Sequence, residues 1–441
     1  MQENIVNQIR ETLYRAGLLP LRKQAEVAER LLSNRLEVLL PQLMEETGID
    51  LWLVPGYETN EDPVMKTMMT SNMRTARRLS ALIHYRDPAT GRMEHLVWGI
   101  GFGSMLEHYI PIKQGDETLC EGLTRELARL NPQKIGINIS SELGGFCGGL
   151  SASLYLDLIN QLPETYRQRL CPAGRLATRW LETMTPGELE VMETLSAVTE
   201  DLMRAFYSRD VIVPGVTTVQ DVTWFIKDVM SRCEMDFWFD PHLDYQRRGE
   251  QRMGYGVSAK NGIAHTPMSY VIQEGDLLHC DIGLMLKYIP VLTDRQWMAY
   301  VLRAGETQAP EGLQELVKRG NRFQDLVCEG FLAGRTGNQV YWDGINKARA
   351  EGIDPMLYCH SLGVFGHNAG PIIGLIDCQG DVYPRGELPV GYSSTHALEL
   401  QHRAPLAEWD GQIVRIYLEE DIHVTDTLSY VGQRQTSLLE F

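Results

Sequence analysis

Residues 275–294 read GDLLHCDIGLMLKYIPVLTD and contain two aspartates of interest, Asp281 and Asp294. If this segment is a hairpin with its turn at Lys287-Tyr288, the two aspartates lie directly opposite each other. Opposite side chains share one face of a sheet, with their Cβ atoms about 5 Å apart. Two carboxylates so placed repel each other unless a cation lies between them, so the pattern indicates a metal site. The alternative is that one of them is a solvated acid on a sheet edge.

Two histidines follow in a loop rich in glycine, CHSLGVFGHNAGP, at residues 359–371. Glycine allows the backbone to approach a ligand closely, and neutral imidazole is a common metal ligand. His360 and His367 are therefore candidates for a functional site, although a single histidine is more often an ordinary core residue.

Two glutamates lie in apolar, strand-like runs near the end of the sequence, Glu399 in ALEL and Glu419 in YLEED. A glutamate in such a run is either exposed on one strand face or a buried acid that requires a partner. The combined candidate set is four carboxylates and one imidazole: Asp281, Asp294, His360, Glu399 and Glu419. Two divalent cations would neutralise the four negative charges, and oxygen-rich ligation with one nitrogen favours manganese, cobalt, iron or zinc.

Composition restricts the class of protein. The chain has 441 residues, 44% of them hydrophobic and 22% charged, which is typical of a globular protein of two domains. A formal charge of −17 disfavours nucleic acid and anionic membrane surfaces as partners. The eight cysteines include no CxxC pair, and the first residues do not resemble a secretory signal, so we expect reduced thiols and a cytoplasmic location.

The N-terminal half alternates helices with short strands, which predicts an α/β domain. A helical apolar period covers 22–46, and a buried strand follows at 49–54. Thr185-Pro186-Gly187-Glu188 has the pattern of a capping box at the start of a long helix. We therefore expect one domain over 1–178 and a second, rich in short strands, over 179–441.

The order and context of the five candidate ligands resemble the pita-bread metallopeptidases, which include methionine aminopeptidase, aminopeptidase P, prolidase and creatinase-like proteins. The matching motifs are GIAHTP at 262–267, EGD at 274–276 leading into DIG at 281–283, the 359–371 loop, and EEDIHVT at 419–425. The resemblance implies an α/β N-terminal creatinase-like domain plus an α+β pita-bread catalytic domain.

The resemblance also implies a role for each candidate ligand. Asp281 would bind one metal ion, and His360 and Glu399 would bind the other. Asp294 and Glu419 would bridge the two ions. The ions implied are divalent, with manganese first and cobalt, zinc or iron as alternatives.

The implied activity is removal of the amino-terminal residue from Xaa-Pro peptides by a metal-bridging hydroxide. His265 and His367 would line the pocket and position the scissile carbonyl, and Glu399 would move a proton. The implied partners are a peptide substrate and a second copy of the chain in a homodimer.

The sequence departs from the family pattern in ways that keep other hypotheses open. The family hairpin is usually two residues shorter, which would place Leu292 at the second aspartate; we prefer Asp294 because the YVL segment at 300–302 aligns only with that register. Tyr417 and Met356 replace an arginine and a histidine of the proline-specific members. The alternatives are a metal-dependent small-molecule hydrolase or lyase on the same fold, and a non-catalytic binding relative. His279, two residues before Asp281, is open to a role beside the ligands.

Overall fold

A computed structural model describes residues 2–99, 103–140, 145–250, 258–259, 262–263 and 268–441. The chain divides into two compact units: a small unit of residues 25–181, and a large unit that combines residues 1–24 with 182–441. The expected domain limits of 1–178 and 179–441 stay a prediction. Across the described ranges, every helix is too short or too polar to cross a membrane.

The small unit contains a six-stranded sheet covered by helices. The helices up to residue 182 are α1 (Gln2–Arg15), α2 (Leu21–Asn34), α3 (Leu40–Thr47), α4 (Pro63–Lys66), α5 (Met105–His108), α6 (Leu119–Leu130), α7 (Ala152–Gln161), α8 (Glu164–Arg167) and α9 (Gly174–Glu182). The strands are β1 (Leu51–Tyr57), β2 (Leu79–Arg86), β3 (Met93–Trp98), β4 (Ile110–Pro111), β5 (Ile135–Ile137) and β6 (Leu170–Pro172), in the spatial order β4-β3-β2-β1-β5-β6.

The predicted helix over 22–46 is present as α2 and α3 joined by a π-helical turn, Arg35–Leu39. It ends at Gly48, whose φ of 65° is the left-handed conformation that glycine adopts without strain. The next strand, β1, carries Trp52 into the core, where the ring is fully buried and its Nε1–H donates to Asn138 Oδ1 at 2.8 Å. The apolar run at 49–54 therefore forms the central strand, as its composition predicts.

The large unit contains a ten-stranded sheet with two long helices on one side. Its further helices are α10 (Pro186–Phe206), α11 (Val219–Arg232), α12 (Glu311–Cys328) and α13 (Gly337–Ala350). Its strands are β7 (Met235–Phe237), β8 (His242–Gln246), β9 (Ser258–Ala259), β10 (Gly262–Ile263), β11 (Leu277–Ile282), β12 (Leu284–Leu286), β13 (Arg295–Tyr300), β14 (Asp354–Leu357), β15 (Cys359–Ser361), β16 (Ile372–Ile373), β17 (Ser394–Leu406), β18 (Gln412–Val424), β19 (Leu428–Tyr430) and β20 (Leu439–Glu440).

The large sheet has the order β16-β15-β17-β18-β13-β11-β8, and its longest pairing joins β17 to β18 over 13 residues of each strand. Alternate side chains of β17 and β18 point to opposite faces. Leu398, Leu400 and Leu418 belong to the core formed with α12 and α13. A Cβ on Gly320 of α12 would lie 2.8 Å from Leu418 Cδ1, so glycine at this position permits close packing of the helix on the sheet.

The capping box predicted at residues 185–188 is present at the start of α10. The backbone N–H of Thr185 donates to Glu188 Oε2 at 2.8 Å, and the Thr185 hydroxyl contacts the same oxygen at 2.9 Å. The Glu188 side chain thus holds the residue that precedes the helix, as the sequence pattern requires.

A fully buried arginine, Arg295 of β13, lies among three acids. Its Nη1 is 3.0 Å from Glu200 Oε1 and 3.3 Å from Glu420 Oε2, and its Nε is 3.5 Å from Asp421 Oδ2. Burial raises the pKa of Glu420 and of Asp421 to about 7, and the positive charge of the Arg295 guanidinium opposes this rise. Arg295 is therefore the cation that allows this acidic stretch of β18 to be buried.

Replacing Arg295 with methionine is expected to lower the free energy of unfolding by about 3–5 kcal/mol, because the acids around it would lose their cation while staying buried. The measurement is the urea denaturation midpoint of the full chain. The control is Arg403→Met, which breaks an ion pair with Asp354 whose side chains are 45% and 55% exposed. That change should cost less than about 1 kcal/mol. Equal losses in the two variants would contradict the assignment.

Candidate metal centre

A polar row runs across the large sheet, roughly perpendicular to its strands. Asp281 in β11 pairs with Gln296 in β13, and Gln296 pairs with Glu419 in β18. Glu419 in turn pairs with Glu399 in β17. Directly paired residues share a face of the sheet. These four side chains consequently lie on one face, whereas the leucines that flank Glu399 lie on the other, against the helices.

The predicted register of the hairpin is wrong by two residues, because Asp281 lies opposite Gln296 and not opposite Asp294. After β11 the chain turns away to form β12, which pairs with β7. This strand also contacts the returning chain, through a bridge from Met285 to Leu292 and a hydrogen bond from the Thr293 N–H to the Leu284 carbonyl. Asp294 directly precedes β13, two residues before Gln296. Because side chains alternate between the two faces of a strand, Asp294 lies on the same face as Gln296 and is a diagonal neighbour of Asp281.

All five predicted ligands come together despite this shift. Ligand atoms of Asp281, Asp294 and Glu419 lie within 4.8 Å of one another, and so do those of His360, Glu399 and Glu419. We call the first set the acidic group and the second the imidazole group; they share Glu419. The alternative ligand position, Leu292, is buried at the bridge to Met285.

His360 presents one ring nitrogen to the acids. Its Nδ1 lies 3.1 Å from the carbonyl oxygen of Ser361, to which only an N–H can donate. The lone pair is therefore on Nε2, which is 3.3 Å from Asp294 Oδ2 and 3.8 Å from Glu419 Oε1. Burial is the largest cause of a His360 pKa well below its usual value, so the ring is neutral. This tautomer, with its outer nitrogen on a carbonyl, is the usual one for a metal-binding imidazole.

Four atoms at the centre are buried and have no hydrogen-bond partner within the described part of the chain: Asp281 Oδ1, Asp294 Oδ1, His360 Nε2 and Glu419 Oε1. Buried polar atoms normally have a partner, and a bound ion is one explanation of an exception. Three of these atoms are carboxylate oxygens and one is an imidazole nitrogen, the donor types that divalent ions such as Mn²⁺ and Zn²⁺ bind. The residues therefore fit divalent metal ions.

The electrostatics of the centre agree with this fit. Burial is the largest cause that raises the pKa of all four carboxyls, Asp281, Asp294, Glu399 and Glu419. Repulsion from neighbouring carboxylates raises the pKa of Asp294, Glu399 and Glu419 further. These shifts favour protonation of the four carboxyls in the absence of a cation, and a bound cation would take the place of those protons.

The two predicted pocket histidines differ in what can be said of them. His265 lies outside the described residues. His367 is exposed, and its ring centroid is 4.5 Å from that of His360. A ligand nitrogen of His367 is also within 4.8 Å of ligand atoms of Asp294 and His360, so the side chain borders the centre.

Sequence reasoning missed two residues at the centre, Gln296 and Trp238. The Trp238 ring lies 4.7 Å from His367 and 6.5 Å from His360 between centroids, and its Nε1–H donates to the Thr293 carbonyl at 3.0 Å. A Cβ on Gly283 would lie 2.1 Å from the Trp238 ring, so this glycine makes room for it. Gln296 carries no charge and therefore gave no signal; the correct hairpin register would have placed it opposite Asp281.

No protein-family model and no curated protein sequence matches this chain. Solved structures do. An X-Pro aminopeptidase from Thermotoga maritima has a TM-score of 0.64 at 12% identity, over 91% of this chain and 100% of that one. An Xaa-Pro dipeptidase from Bacillus anthracis has a TM-score of 0.60 at 14% identity, over 95% and 100%. The N-terminal domain of the FACT complex subunit SPT16 from Cicer arietinum has 0.58 at 10%, over 94% and 99%.

These similarities confirm the predicted fold, a creatinase-like N-terminal domain followed by a pita-bread domain. The fold is common to proteins described as peptidases and to a domain of a FACT complex subunit. Activity must therefore be argued from the residues of the site.

Added Mn²⁺ is expected to raise the Tm more at about pH 8 than at about pH 5.5. The raised pKa values of the four carboxyls mean that the metal-free fold is favoured when they are protonated, and that it loses this stability as pH rises through the folded pKa values. A cation removes that loss. The measurement is the Tm with chelator and with Mn²⁺ across this pH range. A metal-induced shift that does not depend on pH, or that shrinks as pH rises, would contradict the site.

Proposed function

We propose that this protein is a dinuclear metal-dependent aminopeptidase that removes the amino-terminal residue from Xaa-Pro peptides. The observation that carries the proposal is the pair of adjoining groups, acidic and imidazole, that share Glu419 and have unpaired atoms turned toward each other. The fold similarity to proteins described as X-Pro aminopeptidase and Xaa-Pro dipeptidase supports the substrate class.

The ligands divide between two ions in this proposal. Asp281 would hold one ion, His360 and Glu399 would hold the other, and Asp294 and Glu419 would be shared by both; the candidate ligand groups share Glu419 in the same way. Two divalent ions held in this way would supply a water activated at neutral pH and a Lewis acid for the scissile carbonyl. Manganese as the native ion, a homodimeric state and a cytoplasmic location stay predictions.

Among the chain's own groups, Glu399 is the best placed to move a proton. Its side chain is 11% exposed, against 1% for Glu419 and 3% for Asp294, so a substrate and its proton can reach it more readily than either of these two acids. Burial, followed by repulsion from Asp281, raises the pKa of Glu399, which favours proton uptake by this carboxylate. His367 borders the centre from the exposed side and would donate to the carbonyl oxygen as charge develops there. Trp238 packs against His367 and keeps water from that side of the ring.

A second candidate is hydrolysis or lysis of another small molecule by the same centre. It is favoured by what occupies the positions where the proline-specific members have recognition residues. Tyr417 is buried and stacks on His279 with centroids 4.3 Å apart, and Met356 Sδ accepts a hydrogen bond from Gln401 Nε2 at 3.1 Å. Neither residue supplies the cation or imidazole that it replaces, so the recognition of proline rests on other groups.

The activity test is an assay of Mn²⁺-loaded protein on Xaa-Pro dipeptides, Xaa-Pro-Yaa tripeptides and matched proline-free peptides, each with and without chelator. We expect cleavage that is confined to the proline peptides and is abolished by chelator. A protein that binds metal but cleaves no peptide would favour the second candidate. One that neither binds metal nor cleaves would favour a non-catalytic binding protein.

Replacing Glu399 with glutamine is expected to lower kcat by about 10²–10⁴-fold while the fold is retained, because the amide cannot take up a proton. The control is Glu408→Gln, since the Glu408 side chain is exposed and accepts the Gly312 N–H at 2.8 Å, which glutamine can also accept. Metal content and far-UV circular dichroism are measured alongside kcat. Full turnover in the Glu399 variant would exclude the assigned role.

A further inference from the structure

A short loop, residues 366–370, carries His367 to the exposed side of the metal centre. It contains a 3₁₀ turn, Gly366–Asn368, closed by a hydrogen bond from the Ala369 N–H to the Gly366 carbonyl at 2.8 Å. Hydrogen bonds of this kind shape the turn itself. The position of the turn over the centre therefore depends on contacts with other parts of the chain.

Glycine allows both ends of this loop to pack closely. A Cβ on Gly366 would lie 2.6 Å from the Trp238 ring, and its φ of 70° is in the left-handed region that favours glycine. A Cβ on Gly370 would lie 2.5 Å from Ser361 Oγ. Between these two points, the centroid of the His367 ring lies 4.7 Å from that of Trp238. Packing thus restrains the two ends of the loop and the imidazole.

One arginine holds the backbone of the loop. Arg385 is half-buried, and its Nη2 donates to the carbonyl oxygen of His367 at 2.8 Å and to that of Gly370 at 2.7 Å. Hydrogen bonds from an ionised donor are about twice as strong as those between neutral groups. A single guanidinium therefore fixes the backbone at His367 itself and again three residues later.

The charge of Arg385 also acts on the two imidazoles of the centre. Burial is the largest cause that lowers the pKa of His367, and the guanidinium lowers this pKa further. It acts in the same direction on the pKa of His360. A fixed positive charge at this place also favours the negative charge that develops on a scissile carbonyl oxygen. The charge of Arg385 therefore suits a neutral imidazole that donates a hydrogen bond to that oxygen.

We propose that Arg385 is a positioning residue, which holds the loop of residues 366–370 so that His367 can donate to the scissile carbonyl. The proposal rests on the proposed function, in which His367 is the donor, and adds the group that fixes this donor in place. A guanidinium beside the centre could instead bind the carboxylate of the substrate, and the experiment separates these two roles.

The experiment is a double-mutant cycle on the Mn²⁺-loaded full chain, with Arg385→Met, His367→Ala and the double variant. Methionine keeps an apolar stem and removes the donors and the charge. We expect Arg385→Met to lower kcat about 10–100-fold on an Xaa-Pro dipeptide and an Xaa-Pro-Yaa tripeptide alike, with KM changed by less than about 3-fold. In the His367→Ala background the same change should lower kcat by less than about 3-fold, because the side chain that Arg385 positions is already gone.

A second measurement does not depend on activity. It follows the amide hydrogen exchange of residues 362–370 by mass spectrometry, with chelator and with Mn²⁺. We expect Arg385→Met to accelerate exchange in this segment at least about 10-fold, because the loop loses both charge-assisted hydrogen bonds.

The matched control for both measurements is Arg335→Met. Arg335 is also half-buried and donates to two backbone carbonyls, those of Gly330 at 2.8 Å and Gln339 at 3.1 Å. Its replacement should leave kcat and the exchange of residues 362–370 within about 3-fold of the unmodified chain.

The outcomes distinguish failure of this proposal from failure of the proposed function. If the unmodified chain cleaves no Xaa-Pro peptide, the proposed function is wrong, and hydrogen exchange alone decides whether Arg385 holds the loop. If Arg385→Met raises KM for the dipeptide and leaves kcat unchanged, Arg385 binds the carboxylate of the substrate and the positioning role is wrong. That role is also wrong if the losses from Arg385→Met and His367→Ala multiply, or if exchange is the same in Arg385→Met and Arg335→Met. Should Arg385→Met fail to fold, the cycle is repeated with Arg385→Gln, and multiplying losses there overturn the proposal in the same way.

Discussion

Mutual repulsion among four buried carboxylates is the constraint around which the large unit is built. Placing Asp281, Asp294, Glu399 and Glu419 on one sheet face costs free energy through desolvation and through their like charges. Long strand pairing offsets that cost: β17 and β18 hold two of the acids in a ladder of 13 residues. On the opposite face, the leucines of the same strands bury apolar surface against α12 and α13.

The large sheet buries two sets of acids, which differ in whether a positively charged side chain lies beside them. Glu420 and Asp421 have a permanent cation, the guanidinium of Arg295, and both belong to the framework. Their neighbour Glu419 has no positively charged side chain beside it among the described residues; it has the amide of Gln296 and the neutral ring of His360. A carboxylate with a built-in cation stabilises structure, whereas one left without a cation has capacity for an ion from solution. The boundary between framework and site therefore falls within three consecutive residues of β18.

Much of the centre was predictable because its signals are local. Acids within apolar runs, a glycine-rich loop with two histidines and a capping box each depend on nearby residues, and the structure has these features where they were expected. The hairpin register was not predictable from its own residues, because β12 leaves to pair with β7, some 50 residues earlier in the chain. Gln296 was missed for a related reason: an uncharged side chain becomes notable only once its neighbours across the sheet are known. Trp238 lies outside every motif and reaches the centre only through tertiary packing.

The alignment of Asp281, Gln296, Glu419 and Glu399 across four strands has an evolutionary consequence. Each pair in the row is fixed by backbone hydrogen bonds between strands, and none depends on how many residues separate the strands along the chain. Extra residues after β11 can therefore form a separate strand outside the large sheet, as β12 does, without moving a ligand. A centre of this kind constrains the cross-strand alignment and places little constraint on the length of the loops between the strands. A chain can then retain the architecture of proteins with which it shares only 10–14% of its residues.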